Sequence, residues 1–301
     1  MDDRKLHSMQ EIIDRAVTMP GRSVAVAAAH DKDVLKAAMM AKELGVAEAT
    51  LIGHAEEIRT MLAGLGGKEE DFAIIDAQTD ADCAAEAVRQ VREGGANCIL
   101  KGLIGTGDLM RAALNRETGI RTGALLSHLM FYEVPGYPKL LVNTDGGLNT
   151  APTLEQKEQI LENAAKALKK LGYDKIYASC LCGAEVVNPK IPAMTDAQAL
   201  AAMPKWADYD MEVAGPISLD LAVSPEACAH KHFTAPGAGE ADILLVPTYE
   251  VGNAMGKALT LFAGAKNAGI VVGAKVPILL VSRADTPEAK LASIALGCLL
   301  G

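Results

Sequence analysis

The chain has 301 residues, half of them apolar and 22% charged, and a formal net charge of −9. That balance excludes fibrous and disordered classes and a general nucleic-acid binder, which would carry a basic face. It leaves room for one large domain or two of ordinary size, and a scarcity of aromatics, 4%, favours helices packed closely on a sheet.

The apolar residues alternate between short runs and helical stripes. Residues 23–29 (SVAVAAA) read as a buried strand. Val34, Leu35, Ala38, Met39 and Lys42 then fall on helical spacing, with Gly45 as a C-terminal stop. Residues 49–52 and 72–77 read as strands, 80–93 as a helix halted by Gly94-Gly95, and 97–100 as the next strand. Residues 140–143 form another strand, followed by a helix whose N-cap is Thr153, with Gln156 completing a capping box. Its buried stripe is Leu154, Ile160, Leu161, Ala164, Leu168 and Leu171, and Gly172 closes it. Residues 175–180, 243–246, 270–272 and 278–281 are near-continuous apolar strands, expected to be separated by helices. Strands apolar on both faces belong in a parallel sheet covered on both sides, so the expected class is α/β, doubly wound. No Pro/Ser-rich linker, fixed repeat or low-complexity tract divides the chain.

The opening MDDRKLHSMQEIIDRAV lacks an apolar core of signal-peptide length. No stretch reaches the roughly 18 apolar residues of a membrane helix, so a cytoplasmic location with no membrane partner is expected. The six cysteines are dispersed with no CxxC pair, as free thiols in a reducing compartment would be. Cys180 and Cys182 share a strand face, but no second pair completes a zinc site, and His230-Lys-His232 lacks a third ligand. No metal is expected.

Ligands of open parallel sheets bind past the strands' carboxyl ends, at the following helix N-termini, and three such junctions stand out. In VPILLVSRADTPEAKLASIALG, Ser282 and Arg283 follow a strand and precede a helix with N-cap Thr286 and Pro287 at its first position. A hydroxyl and a guanidinium there can hold an oxyanion and a phosphoryl group; a turn serine and a solvated arginine are the plainer alternative. In KGLIGTGDLMRAALNRETGIRTG, Gly105-Thr106-Gly107 leads into a helix carrying Arg111, with Asp108 a possible cap. Backbone N–H groups of such a loop can approach phosphate closely, although a plain glycine-rich connection fits as well. In PTYEVGNAMGKALTLF, Gly252 and Asn253 sit where a helix is expected to begin, with Lys257 a turn later. The spacing is one short of a Walker A loop and Ala258 replaces its hydroxyl residue, so nucleotide hydrolysis is disfavoured. Asn253 is either a substrate donor or an N-cap. Asp145 and Asn149, in NTDGGLNTAPT, either line a cleft or simply form the turn.

Together these segments resemble the phosphate acetyl/butyryltransferase family. The resemblance runs through VAVAAAHDKDVLKAA, ILKGLIGTGDLMRAALNRETGIRTG, CGAEVVNPKIPAM, GPISLDLAVSPEA, GEADILLVPTYEVGNAMGKALT and GAKVPILLVSRADTPEAK. It implies reversible conversion of acyl-CoA and phosphate to acyl phosphate and CoA, with a short acyl group, butyryl favoured. It implies two α/β/α domains around a cleft, similar to isocitrate and isopropylmalate dehydrogenases. The first is expected at 1–124 plus 273–301, the second inserted at 125–272. A homo-oligomer, dimer or larger, is implied too, with CoA as substrate and no tightly bound cofactor. By motif, Ser282 contacts the acyl carbonyl, Arg283 and Arg111 with Thr106 bind phosphate, and Asn253 lines the cleft, with Lys257, Asp145 and Asn149 as further candidates. Where the acetyltransferases carry an acidic residue proposed as base, a gapless match places Ala289, leaving Glu288 and Asp285 as nearby candidates. The rival readings are an NAD(P)-dependent dehydrogenase of related architecture and a non-catalytic CoA- or acyl-phosphate-binding module.

Overall fold

The computed structural model describes residues 4–282 and 285–301. The chain groups into one unit made of Met9–Ala124 with Ala268–Gly301, and another made of Leu125–Asn267 with the segment ending at Ser8. The first unit begins with α1 (Met9–Val17), β1 (Ser23–Ala27), α2 (Lys32–Glu43), β2 (Glu48–Gly53), α3 (Ala55–Gly64), β3 (Ala73–Asp76), α4 (Asp80–Arg92), β4 (Cys98–Lys101) and α5 (Thr106–Ala113). Helix α2 is capped by the Asp31 carboxylate, which accepts from the N–H groups of Asp33 and Val34, and it ends in the C-cap Leu44 followed by Gly45 at φ +73°. Thr79 caps α4 in the same way. Strand β1 pairs in parallel with β2 on one side and β4 on the other.

The inserted unit holds β5 (Ser127–Glu133), β6 (Leu141–Thr144), α6 (Leu154–Lys170), β7 (Ile176–Leu181), α7 (Pro192–Ala201), β8 (Met211–Ile217), α8 (Leu219–Val223), α9 (Pro225–His230), β9 (Ile243–Leu245) and α10 (Tyr249–Leu261). Its strands lie in the order β5-β6-β9-β7-β8, parallel except for β5, which runs antiparallel to β6. The capping box of α6 is complete, with Thr153 and Gln156 each bonded to the other's backbone. The segment ahead of α1 belongs to this unit, not to the first as expected. Lys5 Nζ reaches Asp242 Oδ2 at 3.1 Å, the Leu6 N–H donates to the Tyr173 hydroxyl at 3.2 Å, and the Leu140 N–H donates to the Leu6 carbonyl at 2.8 Å. Asp242 is fully buried, and its carboxylate also accepts from Lys139 Nζ and, at 2.8 Å, from the Tyr177 N–H.

The chain then forms β10 (Lys266–Val272), β11 (Ile278–Leu279) and α11 (Pro287–Leu300). The expected helix between the last two strands is absent: β10 and β11 are antiparallel neighbours joined by 273–277, where Gly273 takes φ +99°. The return to the first unit comes at Ala268, inside β10, rather than at 273. Gly269, one residue on, donates its N–H to Ser293 Oγ of α11 at 3.0 Å. The strands of the first unit run β3-β2-β1-β4-β11-β10. Helix α11 is apolar on nearly every side because it is buried on nearly every side, from Lys290 through Cys298. It packs against α1, α2 and β4. All six cysteines are free thiols, and only Cys182 is partly exposed.

Candidate active site

Three parallel strands of the first unit, β1, β4 and β11, end on one edge of its sheet, with Ala27 beside Lys101 and Leu279 beside Leu100. Past those ends a shallow crevice is lined by Asp31, Val34, Lys101, Gly102, Leu103, Val281, Ser282 and Lys290. Gly102 is required there. Its N–H donates to the Ala27 carbonyl and the next residue's to the Ala28 carbonyl, both at 2.8 Å, and a Cβ on Gly102 would fall 2.2 Å from Ala28 O. Any side chain would push the loop that follows β4 away from β1.

Ser282 is exposed at the mouth of this crevice. Its N–H donates to Asp285 Oδ2 at 2.7 Å, and the Asp285 N–H returns to the Ser282 carbonyl at 3.1 Å. Thr286 caps α11 through the Ala289 N–H, with Pro287 at the first helical position, as expected. Glu288 is exposed, and its own backbone N–H, then Thr286, hold its carboxyl below the usual carboxylate range. Both candidate bases, Asp285 and Glu288, therefore spend their carboxylates on the backbone and hydroxyl groups of this turn. Arg283 lies outside the described residues.

Thr106 is the first residue of α5, and the N-cap is Gly105 rather than Asp108. Arg111 Nη1 sits 2.5 Å from Asp108 Oδ1, and the Arg111 side chain is 77% exposed. An exposed pair of this kind contributes at most about 1 kcal/mol and releases the guanidinium readily to a stronger anion. Arg111 is not among the residues lining the Ser282 crevice.

The candidates of the inserted unit form a separate group past β6 and β9. Asp145 is buried and organises its loop rather than presenting a free carboxylate. Its Oδ1 accepts from the N–H groups of Gly147 (2.9 Å) and Leu148 (2.8 Å), and its Oδ2 from those of His128 (3.0 Å) and the Asn149 amide (2.6 Å). Asn149 also donates to the Leu126 carbonyl at 2.9 Å. Helix α10 starts at Tyr249 with Thr248 as N-cap, so Asn253 lies within the helix and is no cap. The Asn253 amide points to the Gly146 carbonyl at 3.4 Å, because Gly146 and Gly252 touch backbone to backbone; a Cβ on Gly252 would sit 2.6 Å from the Gly146 Cα. Lys257 is exposed.

The sequence reading passed over four polar groups at the sheet edge of the first unit. Asp31, Lys101 and Lys290 line the crevice itself. His30 stacks on His54 with ring centroids 4.3 Å apart, and burial followed by the His54 charge lowers its pKa. None belongs to a spaced motif; only their position just past strand ends, or one helical turn after Thr286, marks them.

Among the described residues no three His, Cys, Asp or Glu gather as a metal site, and no helix is long and apolar enough to cross a membrane. Residues 79–298 match the family described as Phosphate acetyl/butaryl transferase. The chain is 39% identical over 296 residues to the phosphate butyryltransferase of Clostridium acetobutylicum, covering 98% of each chain. It is 38% identical over 277 residues to the phosphate acetyltransferase of Thermotoga maritima, covering 92% of this chain and 94% of that one. The crystal structure of a branched-chain phosphotransacylase from Enterococcus faecalis V583 superposes with a TM-score of 0.83 at 35% identity, over 92% of this chain and 98% of that one.

Proposed function

This chain belongs to the phosphate acetyl/butyryl transferase family, and on that premise we propose that it moves a short acyl group, butyryl foremost, between coenzyme A and inorganic phosphate in the cytoplasm. The observation that carries the reading is the placement of Ser282: exposed beside the α11 N-terminus, at the mouth of a crevice formed past three parallel strand ends.

In the direction of acyl-CoA synthesis, the CoA thiolate attacks the carbonyl carbon of acyl phosphate within a ternary complex. A C–S bond forms, the carbonyl electrons move to oxygen, and the tetrahedral intermediate then expels phosphate with the C–O bonding pair. The Ser282 hydroxyl donates to that oxyanion, assisted by the partial positive charge of the α11 N-terminus. Arg283, the next residue, takes the leaving phosphate, with Arg111 and the Thr106 end of α5 as further phosphate groups. Asn253, Lys257, Asp145 and Asn149 serve CoA and the acyl chain, Asp145 by fixing its loop. A strong base is unnecessary: a thiol of ordinary pKa near 8.5 is already a few per cent thiolate at neutral pH. That fits two nearby carboxylates which are both engaged in the turn. The enzyme works as a homo-oligomer.

The test is CoA release from a series of acyl-CoA thioesters, with and without phosphate. Phosphate-dependent release greatest with butyryl-CoA is the expected result. Release indifferent to phosphate for every thioester would remove the assignment.

A further inference from the structure

Helix α10 shows its apolar face to solvent. Its buried residues are two glycines, Gly252 and Gly256. A Cβ on Gly252 would sit 2.6 Å from the Gly146 Cα and one on Gly256 2.2 Å from the Tyr132 hydroxyl oxygen, while the Gly252 carbonyl accepts from the Asn143 amide at 2.9 Å. The helix therefore meets its own unit through its backbone and leaves its larger apolar side chains outside. Val251, Ala254, Met255, Ala258, Leu261 and the C-cap Phe262 recur at helical spacing and form one stripe about 120° wide. Leu261 is 76% exposed and Phe262 89%; Val251, Ala254 and Ala258 are exposed too, and Met255 at the edge of the stripe packs in part on the core of the inserted unit. Asn253 and Lys257 lie on a different side of the helix.

A surface helix ordinarily turns such a stripe to the core. The stripe exposes on the order of 500 Å² of apolar surface, near the apolar share of the about 800 Å² that each partner gives to a stable protein interface. The order of side chains along it is self-complementary. Laid antiparallel about a two-fold axis between Met255 and Ala258, two copies set Met255 against the partner's Ala258 and Phe262 against the partner's Val251, and the alanines let the helices approach closely. Charge also fits a second copy. The helix carries one Glu and one Lys, Glu250 and Lys257, so its own charge sums to zero although the chain carries −9, and two copies meet there without local repulsion. A lipid surface would call instead for lysines and arginines around the stripe.

We propose that the apolar stripe of α10 is a subunit interface, packed against the same stripe of a second copy as an antiparallel helix pair with Phe262 as its aromatic anchor. The inference deepens the homo-oligomer of the reading above by naming the face it uses, and it is tested without turnover.

The measurement is sedimentation velocity of the full chain over a wide range of concentration. The wild type sediments as a dimer or a larger assembly. L261E and F262E raise the dissociation constant by about 100-fold or more, with far-UV circular dichroism unchanged because both residues are exposed. V251E and F262K each weaken the assembly, and V251E/F262K restores it in part, since the antiparallel register sets Val251 opposite the partner's Phe262. A double variant no tighter than the single ones overturns that pairing. A monomeric wild type overturns the homo-oligomer and the interface together, whereas a wild-type dimer that L261E and F262E leave intact overturns the interface alone. So does a defect of F262E confined to binding vesicles of phosphatidylcholine and phosphatidylserine, which would make the stripe a membrane face. Should F262E fail to fold, L261Q/F262Q is read by the same criterion. A chain that assembles in this way but releases no CoA would refute the activity alone.

Discussion

Asp285 Oδ2 accepts the main-chain N–H of Ser282 at 2.7 Å, closing a tight turn between the last strand and α11. The same turn is returned by the Asp285 N–H to the Ser282 carbonyl. The carboxylate thus fixes the Ser282 main chain ahead of α11. Asp285→Ala should cost about 0.5–2 kcal/mol of stability in urea unfolding, the range of a lost cap. It should lower kcat without removing a limb of the pH–rate profile, whereas a general base would take that limb with it.

Ser282→Ala removes the proposed oxyanion donor. The expected loss in kcat is about 10²–10³-fold with little change in either KM, read by CoA release. Arg283→Ala should instead raise the KM for phosphate. Turnover close to wild type in both variants would place the chemistry elsewhere.

In the inserted unit, Asp242 is the shared counter-charge of Lys5 and Lys139, all three buried. Desolvation is the largest influence on Lys139 and pulls its pKa down; the facing carboxylate opposes that. Asp242→Ala removes the buried carboxylate that both ammonium groups meet and should cost about 3–5 kcal/mol, seen as a lower urea midpoint. A limited protease should then cut near residue 8, since Lys5 holds that segment.

The stacked His30 and His54 give the first unit an acid-sensitive edge. Burial, then His54, lowers the pKa of His30 below its ordinary 6.5, against the smaller raising effects of Glu57, Asp80 and Asp31. The folded protein therefore resists protonating His30 more than the unfolded chain does. The stability this contributes is complete above pH 6.5 and declines as pH falls through that value toward the lower folded pKa. His30→Gln should flatten the fall in Tm between about pH 7 and pH 5. An equally steep fall in the variant would show that other groups set it.

Much of the frame was legible because it is written in local chemistry. The apolar run at β1, the capping box of α6 and the Thr286-Pro287 start of α11 each specify their element over a few residues. The β10–β11 hairpin was not legible, since an antiparallel pair buried on both faces reads like two parallel strands. Strands β5 and β8 carry polar or glycine positions that broke the apolar runs. At the site, Ser282 stood out by its place after a strand. Asp145 looked like a cleft residue, yet its four N–H donors come from residues on both sides of β6, and no spacing rule anticipates that closure. Lys290 was hidden for the opposite reason. A lysine in a helix reads as a solvated charge until the fold buries it.

The discontinuity of the first unit has a consequence for how the chain is made. Strand β4 lies between β1 and β11, and α11 covers α1, α2 and β4, so this core stays open on one side until residues 268–300 have left the ribosome. The inserted unit, bounded by residues 125 and 267, is synthesised in full before that point. Maturation therefore runs inside out: the middle of the polypeptide completes its own core while the earlier half waits, and a chain stalled in translation before β11 holds the inserted unit but no finished crevice.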